Sequence, residues 1–254
     1  MNILVCVKRV PLTGGRMVLT EDEQAIETRH LGFTISPHEE CGVEEAVRLV
    51  EQHGGETTVL TLGPEEAEAQ IRDALATGAN RGILLVTDGE EWDPQATAAA
   101  IAETVEAERV AGVEYDLIVF GNESADSGNY QVGIRVAHAL GRPIVTGLKG
   151  LSIEDGSARC EQEVTGGRDV YRVPLPAVVS VLEGINLPRY PSVPAKLRAR
   201  QKPVDKRPLD RPDARLERLR LVVPAGQGKR AEILGKGPGA APAVVDVMRE
   251  LGVA

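Results

Sequence analysis

Apolar and polar residues along this chain come in alternating blocks. Residues 2–7, NILVCV, form a nearly unbroken apolar run without polar alternation, which reads as a buried strand. Ser36 is placed as a helix N-cap, Pro37 at the first helical position and Glu39 to complete a capping box. Val43, Ala46, Val47 and Val50 then follow at i, i+3, i+4 and i+7, one apolar stripe that ends at Gly54-Gly55. The alternation continues: a strand over 57–62, and a helix over 65–77 with Ala67, Ile71, Ala74 and Leu75 inward. A strand over 82–87 is followed by an alanine-rich helix that opens at Asp93-Pro94 and runs to about Val105. A strand over 115–120, a helix over 131–140 and the start of a strand at 144–146 complete a repeat of strand and helix with short connections. That pattern predicts an α/β fold, a parallel sheet with helices on both faces.

After Gly147 the pattern changes. Short, more exposed strands are expected over 151–153, 158–164 and 170–173, around hairpin turns at Asp155-Gly156 and Gly166-Gly167. Residues 175–182, LPAVVSVL, return to the profile of a central strand. From Tyr190 the chain is rich in arginine and proline, with prolines at 191, 194, 203, 208 and 212. Compact regular structure is not expected there, so 190–235 reads as an extended arm ordered by a partner surface. A short helix can form over 241–251. The resulting division is an α/β domain over 1–190, and a docking loop, arm and short helix over 191–254. Early in the chain, Gly14-Gly15 marks a turn.

Composition narrows the class. The chain has 254 residues, enough for one core without disulfides, and a net charge of −9, which argues against nucleic acid. Cys6, Cys41 and Cys160 form no CxxC, and His30, His38, His53 and His138 show no ligand spacing. Neither a metal site nor a disulfide framework is expected. The N-terminal apolar run is too short for a signal peptide and no stretch suits membrane insertion, so a cytoplasmic setting is expected. Aromatic residues are only 3% of the chain, few for a protein that stacks a flavin by itself.

Ligands of open parallel sheets bind beyond the carboxyl ends of the strands. Of the candidate loops, residues 121–133, GNESADSGNYQVG, stand out. Gly121, Ser124, Ala125, Ser127 and Gly128 permit close backbone approach, and the helix that follows offers free N–H groups to a phosphate. Glu123 and Asp126 suit that role only if their carboxylates turn away or cap the backbone. The other reading is a solvent loop with Asp126 or Ser127 as an N-cap. Lys8 and Arg9 fit either an anion site or an ion pair. GxGxxG, GxxxxGKS and GxSxG motifs are all absent, so the pattern favours a nucleotide-binding subunit over a complete enzyme.

Taken in order, VCVKRV at 5–10, SPHEECGVEEAVRL at 36–49, IRDALATGANRGI at 71–83 and DLIVFGNESADSGNYQVG at 116–133 resemble the beta subunit of electron transfer flavoprotein. LPAVVSV at 175–181 and PRYPSVPAKLRARQK at 188–202 extend the resemblance over most of the chain. It implies a Rossmann-like adenine-nucleotide-binding sheet with an added hairpin region and a C-terminal arm. It also implies an alpha-subunit partner that carries most contacts to a redox FAD, with AMP held structurally in this chain.

Carried over by position, the AMP site comprises Cys6, Ser36, Pro37, His38, Glu39 and Leu62. The loop adds Gly121, Asn122, Glu123, Ser124, Ala125, Asp126, Ser127, Gly128, Asn129, Tyr130, Gln131 and Val132. Ser36 stands where the family often has Asn, Tyr130 and Val132 replace smaller or polar residues of some members, and Thr13 stands where some relatives bring a Tyr near the flavin. Residues 191–199 correspond to the loop that docks dehydrogenases, with Val193 at the anchoring Leu. The implied function is an electron carrier, without catalytic side chains of its own, that passes electrons from dehydrogenases to a quinone-linked oxidoreductase. Two alternatives remain: a bifurcating form with a second FAD in the AMP site, and a stand-alone regulatory module of the universal-stress type.

Overall fold

The structure, a computed structural model, describes residues 1–12, 17–213, 215–223 and 232–253. Thr13 and the Gly14-Gly15 turn lie outside the described residues, as does part of the expected arm.

The elements in chain order begin with β1 (Asn2–Cys6), β2 (Val10–Pro11), β3 (Phe33–Thr34), α1 (Pro37–His53) and β4 (Glu56–Gly63). Next come α2 (Glu68–Thr77), β5 (Arg81–Val86), α3 (Pro94–Val110), β6 (Leu117–Gly121) and α4 (Val132–Leu140). The chain continues through β7 (Ile144–Glu154), β8 (Ser157–Val164), β9 (Gly167–Pro174) and β10 (Ala177–Val181). It ends with α5 (Val193–Ala199), β11 (Val204–Pro208) and α6 (Ala241–Glu250). Nine strands form one sheet in the order β11-β5-β4-β1-β6-β10-β7-β8-β9. The pairings from β11 to β7 are parallel; β7–β8 and β8–β9 are antiparallel.

The period-two alternation of a strand explains how one apolar run serves two cores. Ile3 and Val5 of β1 face α1 and α2, packing with Val43, Leu49, Ile71 and Leu75. Leu4 and Cys6 face the other way, toward Ile101, Val105 and Val136 of α3 and α4. Every residue of β10 is buried, as suits a strand between two neighbours. The Asp155-Gly156 turn has φ of 48° and 72°, both in the left-handed region that a two-residue hairpin requires.

Residues 193–208 depart from the expected extended arm. They form α5 and then β11, which closes the sheet edge against β5. The prolines fall where a missing N–H costs little. Pro194 lies in the first helical turn, where Ser192 caps, and Pro203 precedes a strand that pairs on one side only. Glu108 of α3 is buried and accepts from Arg207 of β11, from Arg81 of β5 and, at 3.2 Å, from the Tyr115 hydroxyl. The other attachment is on α1. Arg189 donates to Glu44 at 2.9 Å and Glu51 at 2.7 Å, and so fastens the segment that leads into α5.

Candidate functional site

Strand order reverses direction about β1, which has β4 on one side and β6 on the other. The carboxyl ends of β1 and β6 therefore open toward one crevice, with the N-terminus of α1 beside them. Gly121 ends β6 there. A Cβ on it would lie 2.7 Å from Glu39 Cγ and 3.1 Å from His38 Cβ, so the absence of a side chain lets the loop lie against the helix start. Across that contact, Ser36 Oγ accepts from the Ala125 amide at 2.9 Å.

Glu39 sits beneath this contact and is buried. Its carboxylate accepts from the Ser36 amide at 3.0 Å and the Lys8 amide at 3.1 Å, joining the helix start to the end of β1. Burial pushes the Glu39 carboxyl up to about 8, against those two donors and the Lys8 charge. Cys6 lies within the core, and burial, followed by the nearby Glu39, raises its thiol far above the usual range. It is a packing residue rather than a nucleophile.

Both acids of the 121–133 loop are engaged. Asp126 Oδ2 lies 2.6 Å from Lys8 Nζ and its Oδ1 accepts from the Ser127 amide at 2.6 Å. Burial opposes the charge of Asp126, but the Lys8 charge and hydrogen bond outweigh it and hold the carboxyl below its ordinary value. Glu123 faces His38 Nε2 at 3.5 Å, while the Glu183 amide donates to His38 Nδ1 at 2.7 Å. In the neutral ring that amide places the proton on Nε2, toward Glu123.

The loop then turns through Gly128 and Tyr130, with φ of 52° and 55°, into α4. Gln131 provides no side-chain cap. Among the described residues, the amides of Tyr130, Gln131, Val132 and Gly133 have no acceptor. These uncapped donors at a helix start suit an anion, and Lys8 neutralises Asp126, while Glu123 stands between His38 and the Gly128 turn, its Oε2 3.5 Å from where a Cβ on Gly128 would lie. The residues present thus fit a phosphate group held largely by backbone amides.

Of the expected site residues, Ser36, His38 and Glu39 lie against the loop at Ala125, Glu123 and Gly121, whereas Cys6 is packed in the core and Pro37 is exposed at the first turn of α1. Asn122 is held by Ser180 Oγ at 3.0 Å and donates its amide to Val181. Leu62 lies two residues past Leu60, the partner of Cys6 in the sheet. Asn129 and Tyr130 are exposed at the rim and Val132 opens α4.

Glu91 was not foreseen. It bonds Lys8 Nζ at 2.9 Å and also takes Arg218 from the chain beyond β11. Spacing carried no sign of it, because the loop after β5 meets Lys8 only through the sheet order. Among the described residues there is no cluster of His, Cys, Asp or Glu suited to a metal, and no helix long and apolar enough to cross a membrane.

A family model described as an electron transfer flavoprotein domain matches residues 25–212. The chain is 34% identical over 210 residues to the electron transfer flavoprotein subunit beta of Bacillus subtilis (strain 168), covering 83% of this chain and 80% of that one. It is 38% identical over 205 residues to the subunit of the same description from Syntrophomonas wolfei, covering 80% and 78%. With that of Bradyrhizobium diazoefficiens it shares 33% over 234 residues, 89% and 91% of the two chains.

Proposed function

Since the chain belongs to the electron transfer flavoprotein family, we propose that it is the beta subunit of a cytoplasmic heterodimer that carries electrons from dehydrogenases to a quinone-linked oxidoreductase. Its alpha-subunit partner holds most of an FAD, and this chain closes one side of that site. The bound FAD supplies one- and two-electron transfer. This chain contributes binding and position.

AMP lies in the crevice between α1 and the 121–133 loop. The free amides from Tyr130 to Gly133 receive the phosphate, and the Ser36–Ala125 hydrogen bond keeps the loop against the helix. Lys8 pairs with Asp126 and neutralises that acid beside the anion. The observation that carries the nucleotide assignment is the run of free amides at an uncapped helix start, with the nearby Asp126 neutralised by Lys8. Residues 191–199 dock the dehydrogenases, with Val193 exposed at the tip, and the chain past β11 grips the alpha subunit.

Denaturing mass spectrometry of the heterodimer, purified after co-expression with its alpha subunit, tests the assignment. One FAD and one AMP per pair is the expected result. Two FAD would replace AMP with a second flavin and a bifurcating role. A stable homodimer without a heteromeric partner would overturn the carrier function in favour of a nucleotide-binding regulatory module.

A further inference from the structure

A row of charged side chains connects the nucleotide crevice to the tail. Lys8, just past β1, reaches Asp126 of the 121–133 loop at 2.6 Å and donates to the Ser127 hydroxyl at 3.1 Å. The same ammonium meets Glu91 Oε1 at 2.9 Å. Glu91 turns its other oxygen, Oε2, to Arg218. Asp126, Lys8, Glu91 and Arg218 thus stand in sequence, each charge beside its opposite.

Arg218 is brought there by a segment laid across the body. Past β11 the Leu209 amide donates to the Val86 carbonyl at 2.8 Å, and Arg211 donates to the Glu91 carbonyl at 3.0 Å. The Arg215 amide reaches Asp93 Oδ2 at 3.3 Å. Arg218 also donates to the Gln24 carbonyl at 2.7 Å, and the Gln24 side chain returns a bond to the Leu219 carbonyl at 3.0 Å. The Leu221 amide then closes onto the Glu23 carbonyl at 2.8 Å. The guanidinium therefore has a second hold at Gln24, and its place beside Glu91 does not depend on the ion pair alone.

Charge decides what this row does. With two acids and two bases it is neutral. Its side chains are partly shielded from water: Asp126 is 16% exposed, Lys8 and Glu91 32% each and Arg218 37%. Burial opposes the charge of Glu91, yet the Lys8 charge and hydrogen bond, followed by those of Arg218, hold its carboxyl below its ordinary value. Among the described residues, Lys8 is the one cation paired with Asp126, and Glu91 has Lys8 and Arg218. Without Arg218 a single ammonium would serve two carboxylates. A net negative charge would then stand near the free amides from Tyr130 to Gly133, the wrong sign beside an anion site.

We propose that Arg218 is a positioning residue of the nucleotide site: by occupying Glu91 it leaves Lys8 to neutralise Asp126 and to hold the 121–133 loop for a phosphate. The proposal rests on the nucleotide reading of that crevice and adds to it a residue from the tail. Tail and nucleotide are then linked in both directions. A tail seated on the body strengthens phosphate binding, and a bound phosphate favours the seated tail.

The test is the release of isotopically labelled AMP from the intact heterodimer, chased with excess unlabelled AMP. R218Q should release it about fivefold faster than wild type. E91Q removes one acid from the row and should release it more slowly. The double variant E91Q/R218Q, in which Lys8 and Asp126 pair without a rival, should return to the wild-type rate. Hydrogen exchange at the β1 and β6 amides verifies that each variant is folded.

The double variant separates this role from a merely structural one. If Arg218 only fastened the tail, E91Q/R218Q would release AMP at least as fast as R218Q. That outcome would overturn the proposal, and so would R218Q at the wild-type rate. A wild-type heterodimer that holds no AMP would instead overturn the nucleotide reading, and the proposal with it.

Discussion

Ser36 and Ala125, 89 residues apart in the chain, are joined by a single 2.9 Å hydrogen bond from the Ala125 amide to the Ser36 hydroxyl. The bond spans the crevice mouth and sets the separation between the start of α1 and the loop after β6. Ser36→Ala leaves that amide without its partner and should cost about 1 kcal/mol of stability. AMP retained after desalting, measured by mass spectrometry, should fall in the same variant. Unchanged retention would show that the loop keeps its position without the bond.

Gly121→Ala should be more severe. Its Cβ meets Glu39 Cγ at 2.7 Å and the Glu39 amide at 3.0 Å, and a helix backbone has little freedom to withdraw. A loss of about 2 kcal/mol in chemical denaturation is expected, with weaker AMP binding by calorimetry. A variant as stable as wild type would mean that the loop moves at no cost.

The Glu39 carboxyl gives a pH dependence of definite sign. Its native value near 8 exceeds the ordinary 4.5, so between those values the folded chain holds a proton that the unfolded chain has lost. Its contribution to stability is therefore fully present below about pH 4.5 and is lost as pH rises through 8. In urea unfolding from about pH 5 to about pH 8, wild type should lose about 3 kcal/mol more than Glu39→Gln, which cannot ionise. Parallel profiles would assign the pH dependence to other groups.

Arg189→Ala removes one of two arginines from Glu44, which is 1% exposed, and all pairing from Glu51. With Arg48 still in place at 2.7 Å, the cost should be about 2 kcal/mol. Limited proteolysis should then cut within 184–192 faster than in wild type. An unchanged cleavage rate would show that α5 is held by its packing alone.

Glu108→Gln tests the attachment of β11. Loss of the charge weakens the bonds to Arg81 and Arg207, and hydrogen exchange should accelerate at the β11 amides while β1 and β6 stay protected. Equal protection in the variant would place the hold on β11 in its pairing with β5.

Much of this was legible in the sequence because local chemistry and global fold agree. The box at Ser36 and Glu39, the helix opening at Asp93-Pro94 and the stripe from Val43 to Val47 each depend on residues only a few positions apart. The structure reproduces them, with Asp93 accepting from Gln95 and Ala96. The segment 193–208 was not legible, because its prolines suggested irregular chain while each stands at an element boundary or on an edge. The Lys8–Glu91–Asp126 cluster was hidden for another reason. Three segments far apart in sequence meet there, and only the strand order brings them together. The engagement of Glu123 and Asp126 likewise depends on partners from outside the loop.

Because β11 pairs with β5 at the sheet edge, α5 and the chain that follows Pro208 lie on either side of one fixed strand. A tail leaving Pro208 is tethered at a set place, so whatever grasps it is kept near α5 by the length of the chain rather than by its own affinity. A partner gripping the tail and a second protein docking at α5 would therefore be neighbours on one body, and weak, quickly released docking would suffice for repeated exchange.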